Sequence, residues 1–186
     1  MTTRPHTGRR RNEAAREAVL DAAVRLFRED PDVTVAAIAA AAGVGKQTLY
    51  RWWPTKYAIL LEAFIEMGRA VVPEPDTGTL DGDLTAFLTA TFTRADEVAP
   101  LLRTLMAEAQ RDPATLTTLQ DFTDRRRAVL RGLLTRHGVG AEDAEAVLDQ
   151  AYGVLWYRLL LDRPALTGEQ AAAFAQRLLR QLKPAR

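Results

Sequence analysis

The stretch "AAGVGKQTLYRWWPTK", residues 41–56, decides how this chain is read. Gly43 and Gly45 interrupt an alanine-rich run. Lys46, Gln47, Thr48, Tyr50, Arg51, Trp52 and Trp53 then follow within two helical turns. A short helix, a glycine turn and a second short helix form the helix-turn-helix pattern. Gly43 suits a helix C-terminus, where a left-handed backbone is free of a Cβ clash. Pro54 disfavours helical geometry at Trp53 and ends the second helix there. On that helix Leu49 and Trp53 lie four apart and share one face. Both are large and apolar, so they are expected to anchor the helix, with Val44 helping at the turn. Lys46, Gln47 and Tyr50 then face outward, with Thr48 and Trp52 in a neighbouring row. That outward set suits a DNA major groove. Gln and Lys bond to base edges, a Thr methyl meets a thymine methyl, and hydroxyls reach phosphate. Lys56 falls near the start of the next helix, where its charge and free helical amides suit a phosphate.

The rest of the composition is consistent with that reading. The chain has 186 residues, 47% of them apolar, enough for a real core. It has no cysteine and only two histidines, His6 and His137, far apart in sequence. Thiolate metal sites, disulfides and a histidine-centred triad are therefore not expected, nor is any cofactor. No apolar run reaches the roughly 18 residues of a membrane span. The N-terminus lacks the apolar core of a secretory signal, so the chain is expected in the cytoplasm, with no membrane partner. Net charge is +1 but uneven. Residues 1–57 hold ten Lys/Arg against six Asp/Glu, an excess of +4, and residues 58–186 hold 15 against 18, or −3. A basic head on a slightly acidic body suggests a polyanion contacted at one end.

Outward from the motif, helical periodicity runs nearly everywhere, and the fold class predicted is all-α. Residues 12–30 carry Ala15, Val19, Ala22, Ala23, Leu26 and Phe27 on one face, and Pro31 stops that helix. Thr34 is a plausible N-cap for "VAAIAAAA". A fourth helix starts near Thr55 and runs to the prolines Pro73 and Pro75. Beyond the loop "PEPDTGTLDG", helices are expected over 80–95, 100–110, 113–137, 142–161 and 168–183. Residues 1–57 are expected to form a helix-turn-helix DNA-binding domain, with 1–11 a flexible basic arm. Residues 58–186 are expected to form a helical regulatory and dimerisation domain. The basic run "DRRRAVLR" at 124–131 reads as a solvated helix face with i,i+4 pairing to Asp121 and Asp124.

Over residues 22–64 the sequence resembles the tetracycline-repressor-like (TetR) family of bacterial regulators. The resemblance rests on Phe27, Thr34, Ile38 and the block "AGVGKQTLYRWWPTK" at the right mutual spacing. It implies a three-helix reading head followed by a divergent helical body that binds a small molecule and dimerises. Carried over by position, it places Thr34, Ala36, Ala37, Gly45, Lys46, Gln47, Thr48, Tyr50, Trp52 and Lys56 at the DNA interface. Four positions depart from the family's habit. Ala36 and Ala37 stand where polar readers are common, so base contacts from that helix should be poor. Trp52 stands where a smaller residue or histidine is common. Gly45 replaces a frequent Ser at the helix start, at a cost of about a few tenths of a kcal/mol in capping.

The resemblance also implies an effector cavity. Phe87, Phe92, Leu102, Leu105, Met106, Phe122, Trp156 and Tyr157 are its candidate lining, for an apolar effector, although the same residues would fill any helical core. The segment "YGVLWYRLLLDRPALTGEQAAAFAQRLL" resembles a common family ending that forms the dimer interface. The homodimer is expected through 141–161 and 170–182, packed as four helices. The function implied is a ligand-responsive regulator, a repressor by expectation, binding double-stranded operator DNA with twofold symmetry and released by a small molecule. Two other classes compete. A helical enzyme is disfavoured because the chain shows no nucleophile–base pair and "GVGK" lacks P-loop spacing. A helical module with a basic head for an acidic protein would show no preference for duplex DNA. An activator of the same fold remains a variant of the main reading.

Overall fold

In the computed structural model, residues 7–69 and 74–182 are described. Among them every regular element is an α-helix. The order is α1 (Thr7–Glu29), α2 (Val35–Ala41), α3 (Lys46–Trp52), α4 (Lys56–Arg69), α5 (Leu80–Glu97), α6 (Ala99–Ala109), α7 (Pro113–Arg136), α8 (Ala141–Leu160) and α9 (Gly168–Leu179). The chain divides into two compact units, Met1–Gly68 and Arg69–Arg186. The first unit runs past the boundary expected at residue 57 and takes in α4 as far as Gly68. The reason is chemical. Arg16 on α1 pairs with Glu62 on α4 and reaches Glu66 at 3.5 Å, so α4 is tied to the head. The basic arm expected over 1–11 also differs. Residues 1–6 lie outside the described residues, and the backbone from Thr7 onward already belongs to α1.

Local chemistry sets the helix ends of the first unit. Asp30 ends the α1 segment, its carboxylate accepting from the Asp32 amide at 2.8 Å. The Thr34 hydroxyl accepts from the Ala37 amide at 3.1 Å and opens α2. Gly43, at φ +65°, makes the left-handed turn between α2 and α3. The Thr55 hydroxyl accepts from the Ala58 amide at 3.1 Å and opens α4. Val19, Ala23, Phe27, Ile38, Leu49, Ile59 and Leu60 are among the buried apolar residues of this unit.

In the second unit α5 is central, packed on α9 along much of its length and also on α7, α8 and α6. Its inner face carries Leu84, Phe87, Leu88 and Phe92, which meet Leu130, Leu134, Leu148 and Leu178 in one apolar core. Asp112 caps α7 with Pro113 at its first position, and a Thr167–Gln170 capping box starts α9. One carboxylate is fully buried at the start of α5. Asp83 accepts from the Thr77 amide at 2.6 Å and its hydroxyl at 2.8 Å, from Arg136 at 2.8 Å, and contacts His137 Nε2 at 2.8 Å. These bonds, the Thr77 amide first and His137 next, hold its carboxyl well below the usual carboxylate range. They fasten the loop before α5 to the end of α7. The basic run on α7 also departs from its expectation. Arg127 pairs with Glu145 at 3.0 Å and Asp149 at 2.8 Å, and Arg131 with Glu145 at 2.5 Å, so these charges lace α7 to α8.

Candidate nucleic-acid interface

Helix α3 has seven residues, far too few to persist undocked. Leu49, with no exposed surface, is its one buried residue. The second anchor lies just past its end. Pro54 holds Trp53 in extended geometry, φ −133° and ψ 118°, and the Trp53 side chain is 4% exposed. Its indole Nε1 donates to Glu62 Oε2 on α4 at 2.5 Å. Buried indole nitrogens need such an acceptor. Glu62 thus receives both Trp53 and Arg16, and it positions α3 from below.

With that face turned in, Lys46, Gln47, Tyr50 and Arg51 are exposed, while Thr48 and Trp52 are half-buried. Tyr50 is one of few large apolar side chains left open, 46% exposed, and Lys46 Nζ lies 5.8 Å from its ring centroid. Trp52 meets Trp53 edge-on, centroids 5.5 Å apart and planes at 83°. Gly45 opens α3 without a side-chain cap, and it is exposed. Thr34, Ala36 and Ala37 are exposed at the start of α2, the two alanines offering only methyl groups. Lys56 is half-buried at the first position of α4, its ammonium donating to the Pro31 carbonyl at 3.4 Å and lying 5.4 Å from the Tyr57 ring centroid. Arg51 was passed over in the sequence, although it follows Gln47 by four residues and therefore shares its row.

The candidate effector residues are spread over two described cavities and the core around them. A cleft of about 330 Å³ opens between α5, α6, α8 and the turn after α8, and of the eight candidates only Phe92 lines it. Phe87 and Phe92 line a smaller void deeper between α5 and α8. Leu102 and Leu105 are buried and line neither cavity, while Met106, Phe122 and Trp156 are half-buried. Trp156 packs on the core from outside. Tyr157 points away from the core altogether, 54% exposed, with the Arg163 guanidinium 5.4 Å from its ring centroid. Position 157 thus falls on the outer side of α8. Among the described residues no helix is long and apolar enough to cross a membrane.

A two-helix motif with its second helix docked through one face and polar on the other is a helix-turn-helix head. Comparison with known proteins then fixes the family. The model described as bacterial regulatory proteins, tetR family, matches residues 19–63. The model described as tetracyclin repressor-like, C-terminal domain, matches residues 74–178. The chain belongs to the TetR family of DNA-binding transcriptional regulators. It is 33% identical over 164 residues to the uncharacterised HTH-type transcriptional regulator YdeS of Bacillus subtilis, covering 83% of this chain and 82% of that one. It is 42% identical over 48 residues to the HTH-type transcriptional repressor LfrR of Mycolicibacterium smegmatis, about a quarter of each chain (26% and 25%). Among solved structures it matches the TetR family regulator SCO0332 with a TM-score of 0.71 and 28% identity, over 91% of this chain and 99% of that chain.

Proposed function

We propose that this chain is a ligand-responsive repressor that binds a palindromic operator as a homodimer. The observation that carries the reading is the two-sided build of α3. Leu49 and Trp53 are buried, and Lys46, Gln47, Tyr50 and Arg51 stand exposed on the opposite side. In the proposed complex α3 enters the major groove. Gln47 and Lys46 read base edges, Thr48 and Tyr50 reach backbone or thymine methyl, and Trp52 lies along sugar and phosphate. Thr34 and Lys56 hold phosphates at either side, and Ala36, Ala37 and Gly45 allow the backbone to come close. Arg51 adds a further cation to the same row.

The homodimer is supported by the outer side of α8. Ala146, Gln150, Gly153, Tyr157, Leu160 and Leu161 are all exposed there. Tyr157, Leu160 and Leu161 are 54%, 46% and 58% exposed, and a Cβ on Gly153 would meet nothing within 4 Å. Small residues followed by open apolar ones suit close helix packing with a second copy. The apolar face of α9, by contrast, is spent inside its own unit, with Ala171, Phe174, Ala175 and Leu178 buried. Helix α8 is therefore the stronger half of the proposed interface, and α9 supplies its polar rim.

Repression, rather than activation, is favoured by the likeness to the repressor LfrR over 48 residues. Release by a small apolar effector would be a population shift, limited by the effector's differing affinity for the two body conformations. The test is fluorescence anisotropy with duplexes recovered by genome-wide binding selection. The reading expects palindromic sequences with half-sites about one helical turn apart and affinity falling steeply with salt. Equal binding to any acidic polymer, with no duplex preference, would return the chain to the class of acidic-protein binders.

A further inference from the structure

Two hydroxyls in the second unit have no hydrogen-bond partner although they are buried. Thr91 Oγ1 on α5 belongs to a residue 7% exposed, and the Tyr152 hydroxyl on α8 to one 9% exposed. Both line the same narrow gap between α5 and α8, otherwise walled by Phe87, Leu88, Phe92, Ala151 and Leu155. In this conformation it is too narrow for a water molecule, so solvent does not satisfy the pair. Buried polar groups left unpaired are uncommon and costly, and a pair in one void marks a place where a partner belongs. Phe92 and Leu155 also line the 330 Å³ cleft, so those two side chains stand between the cleft and the gap. The cleft is of ligand size.

The electrostatics narrow what could enter. No acidic residue lines the void. The Arg126 guanidinium on α7 lies within electrostatic reach of Tyr152, has no ion-pair partner among the described residues, and is pushed below its ordinary pKa by burial first and by Arg94. Arg127 sits 5.9 Å from the Tyr152 ring centroid but is already paired with Glu145 and Asp149. At the outer mouth the cations are engaged as well. Arg103 pairs with Asp162 at 2.8 Å, Arg158 donates to the Pro164 carbonyl at 2.7 Å, and Arg163 covers Tyr157.

We propose that Thr91 and Tyr152, backed by Arg126, form the polar floor of the effector site, and that the effector is an apolar molecule ending in a carboxylate. The carboxylate accepts from both hydroxyls in the gap, and the apolar body displaces Phe92 and fills the cleft. This inference rests on the reading of the chain as an effector-responsive regulator. Displacing Phe92 also moves it off Phe174, which it meets edge-on with centroids 6.3 Å apart. Entry of the ligand's apolar body therefore shifts the packing of α5 against α9.

The test uses the full chain and a fixed probe set of 4-phenylbutyrate, 2-naphthoate, octanoate and decanoate, with 4-phenylbutan-1-ol and 4-phenylbutylamine as matched bodies lacking the carboxylate. Calorimetric titration is expected to find at least one carboxylate binding with a Kd below about 1 mM, and the alcohol and amine weaker by about tenfold or more. Tyr152→Phe, Thr91→Val and Arg126→Met should each weaken that carboxylate by about tenfold. Without ligand, Tyr152→Phe and Thr91→Val should melt no lower than wild type, because each removes an unpaired hydroxyl. The proposal is overturned if no carboxylate binds, if the amine binds as well, if the variants bind equally, or if the unliganded variants melt several degrees lower. Duplex binding by the wild type, measured in parallel, separates the two readings. Intact duplex binding with no carboxylate binding sinks this site alone, whereas absent duplex binding sinks the regulator reading beneath it.

Discussion

Replacing Leu49 by alanine tests whether the reading face depends on one buried side chain. Leu49 is 0% exposed and is the single buried residue within α3. Losing about three buried carbons removes roughly 2.4 kcal/mol of transfer free energy, at about 0.8 kcal/mol for each. The cavity left behind raises the total to about 3–5 kcal/mol. A unit this small has a total stability of roughly 3–10 kcal/mol, so the loss is a large share of it. Helix α3 cannot compensate by local propensity, being only seven residues long. Trp52 and Trp53 make the assay specific. The third tryptophan, Trp156, lies in the second unit, so fluorescence in a Trp156→Phe background reports the head alone. With m about 1 kcal/mol/M in urea, the midpoint of that signal should fall by roughly 3 M or more. Operator binding should disappear with it. An unchanged midpoint would refute the anchoring of α3 by Leu49, and with it the argument that Lys46, Gln47 and Tyr50 are turned outward by what is buried beneath them.

Gln47→Ala should leave melting unchanged, cost about 1–3 kcal/mol on the operator and relax sequence choice at one step, read by binding selection. An unaltered preference profile would remove Gln47 from the base-reading set. Lys56→Ala should weaken all duplexes alike and reduce the slope of log K against log salt by about one, measured by anisotropy over a salt series. An undiminished slope would mean that the lysine serves only its bond to Pro31. Asp83→Asn addresses pH. A carboxyl held low in the folded chain stabilises it above the unfolded value near 4, and that stabilisation fades as pH falls through the folded value. The variant should therefore be less stable at pH 7 and lose stability less steeply between about pH 4 and 2. Parallel acid limbs in the two proteins would show that the Thr77, His137 and Arg136 bonds leave its titration untouched. Tyr152, pushed up to about 12 by burial, should give the last tyrosine step in an alkaline absorbance titration, absent from Tyr152→Phe.

Much of the head was legible because its determinants are local. Thr34 caps α2 through an amide three residues on, Gly43 turns by its own φ, and Pro54 acts on the residue before it. Periodicity placed Leu49 inside for the same reason. What escaped the sequence depends on partners far along the chain. Glu62 as the acceptor for Trp53 is set by the packing of α4, nine residues beyond. The burial of Asp83 in "DGDLT" becomes tolerable only through Arg136 and His137, more than fifty residues away. The cavity was the least legible part. Phe87, Leu105 and Phe92 are all large, apolar and buried, yet Phe92 lines both the cleft and the gap, Phe87 only the gap, and Leu105 neither. Composition specifies that a core exists, whereas the gaps in it follow from how helices cross. The orphaned hydroxyls of Thr91 and Tyr152 are invisible to any pattern, because being unpartnered is a property of surroundings.

The plainness of α2 bears on how the proposed complex achieves selectivity. Ala36 and Ala37 are exposed but carry no hydrogen-bonding side chain, so discrimination by one head falls on α3. If Lys46 and Gln47 each make one good base contact, worth about 1–3 kcal/mol, a single head separates its site from others by roughly 2–6 kcal/mol. Specific regulators need about 4–10 kcal/mol against non-specific DNA. Two heads related by a twofold axis bring the total to roughly 4–12 kcal/mol without a new contact type. The same symmetry explains why a modest change in the body could switch the proposed repressor. Two short helices must meet the groove at one fixed spacing, so a shift that leaves each head folded still costs the contacts of one of them. On this argument the open ridge on α8 and the outward row on α3 would be parts of one device, the proposed dimer supplying the doubling that a single seven-residue helix is too small to do without.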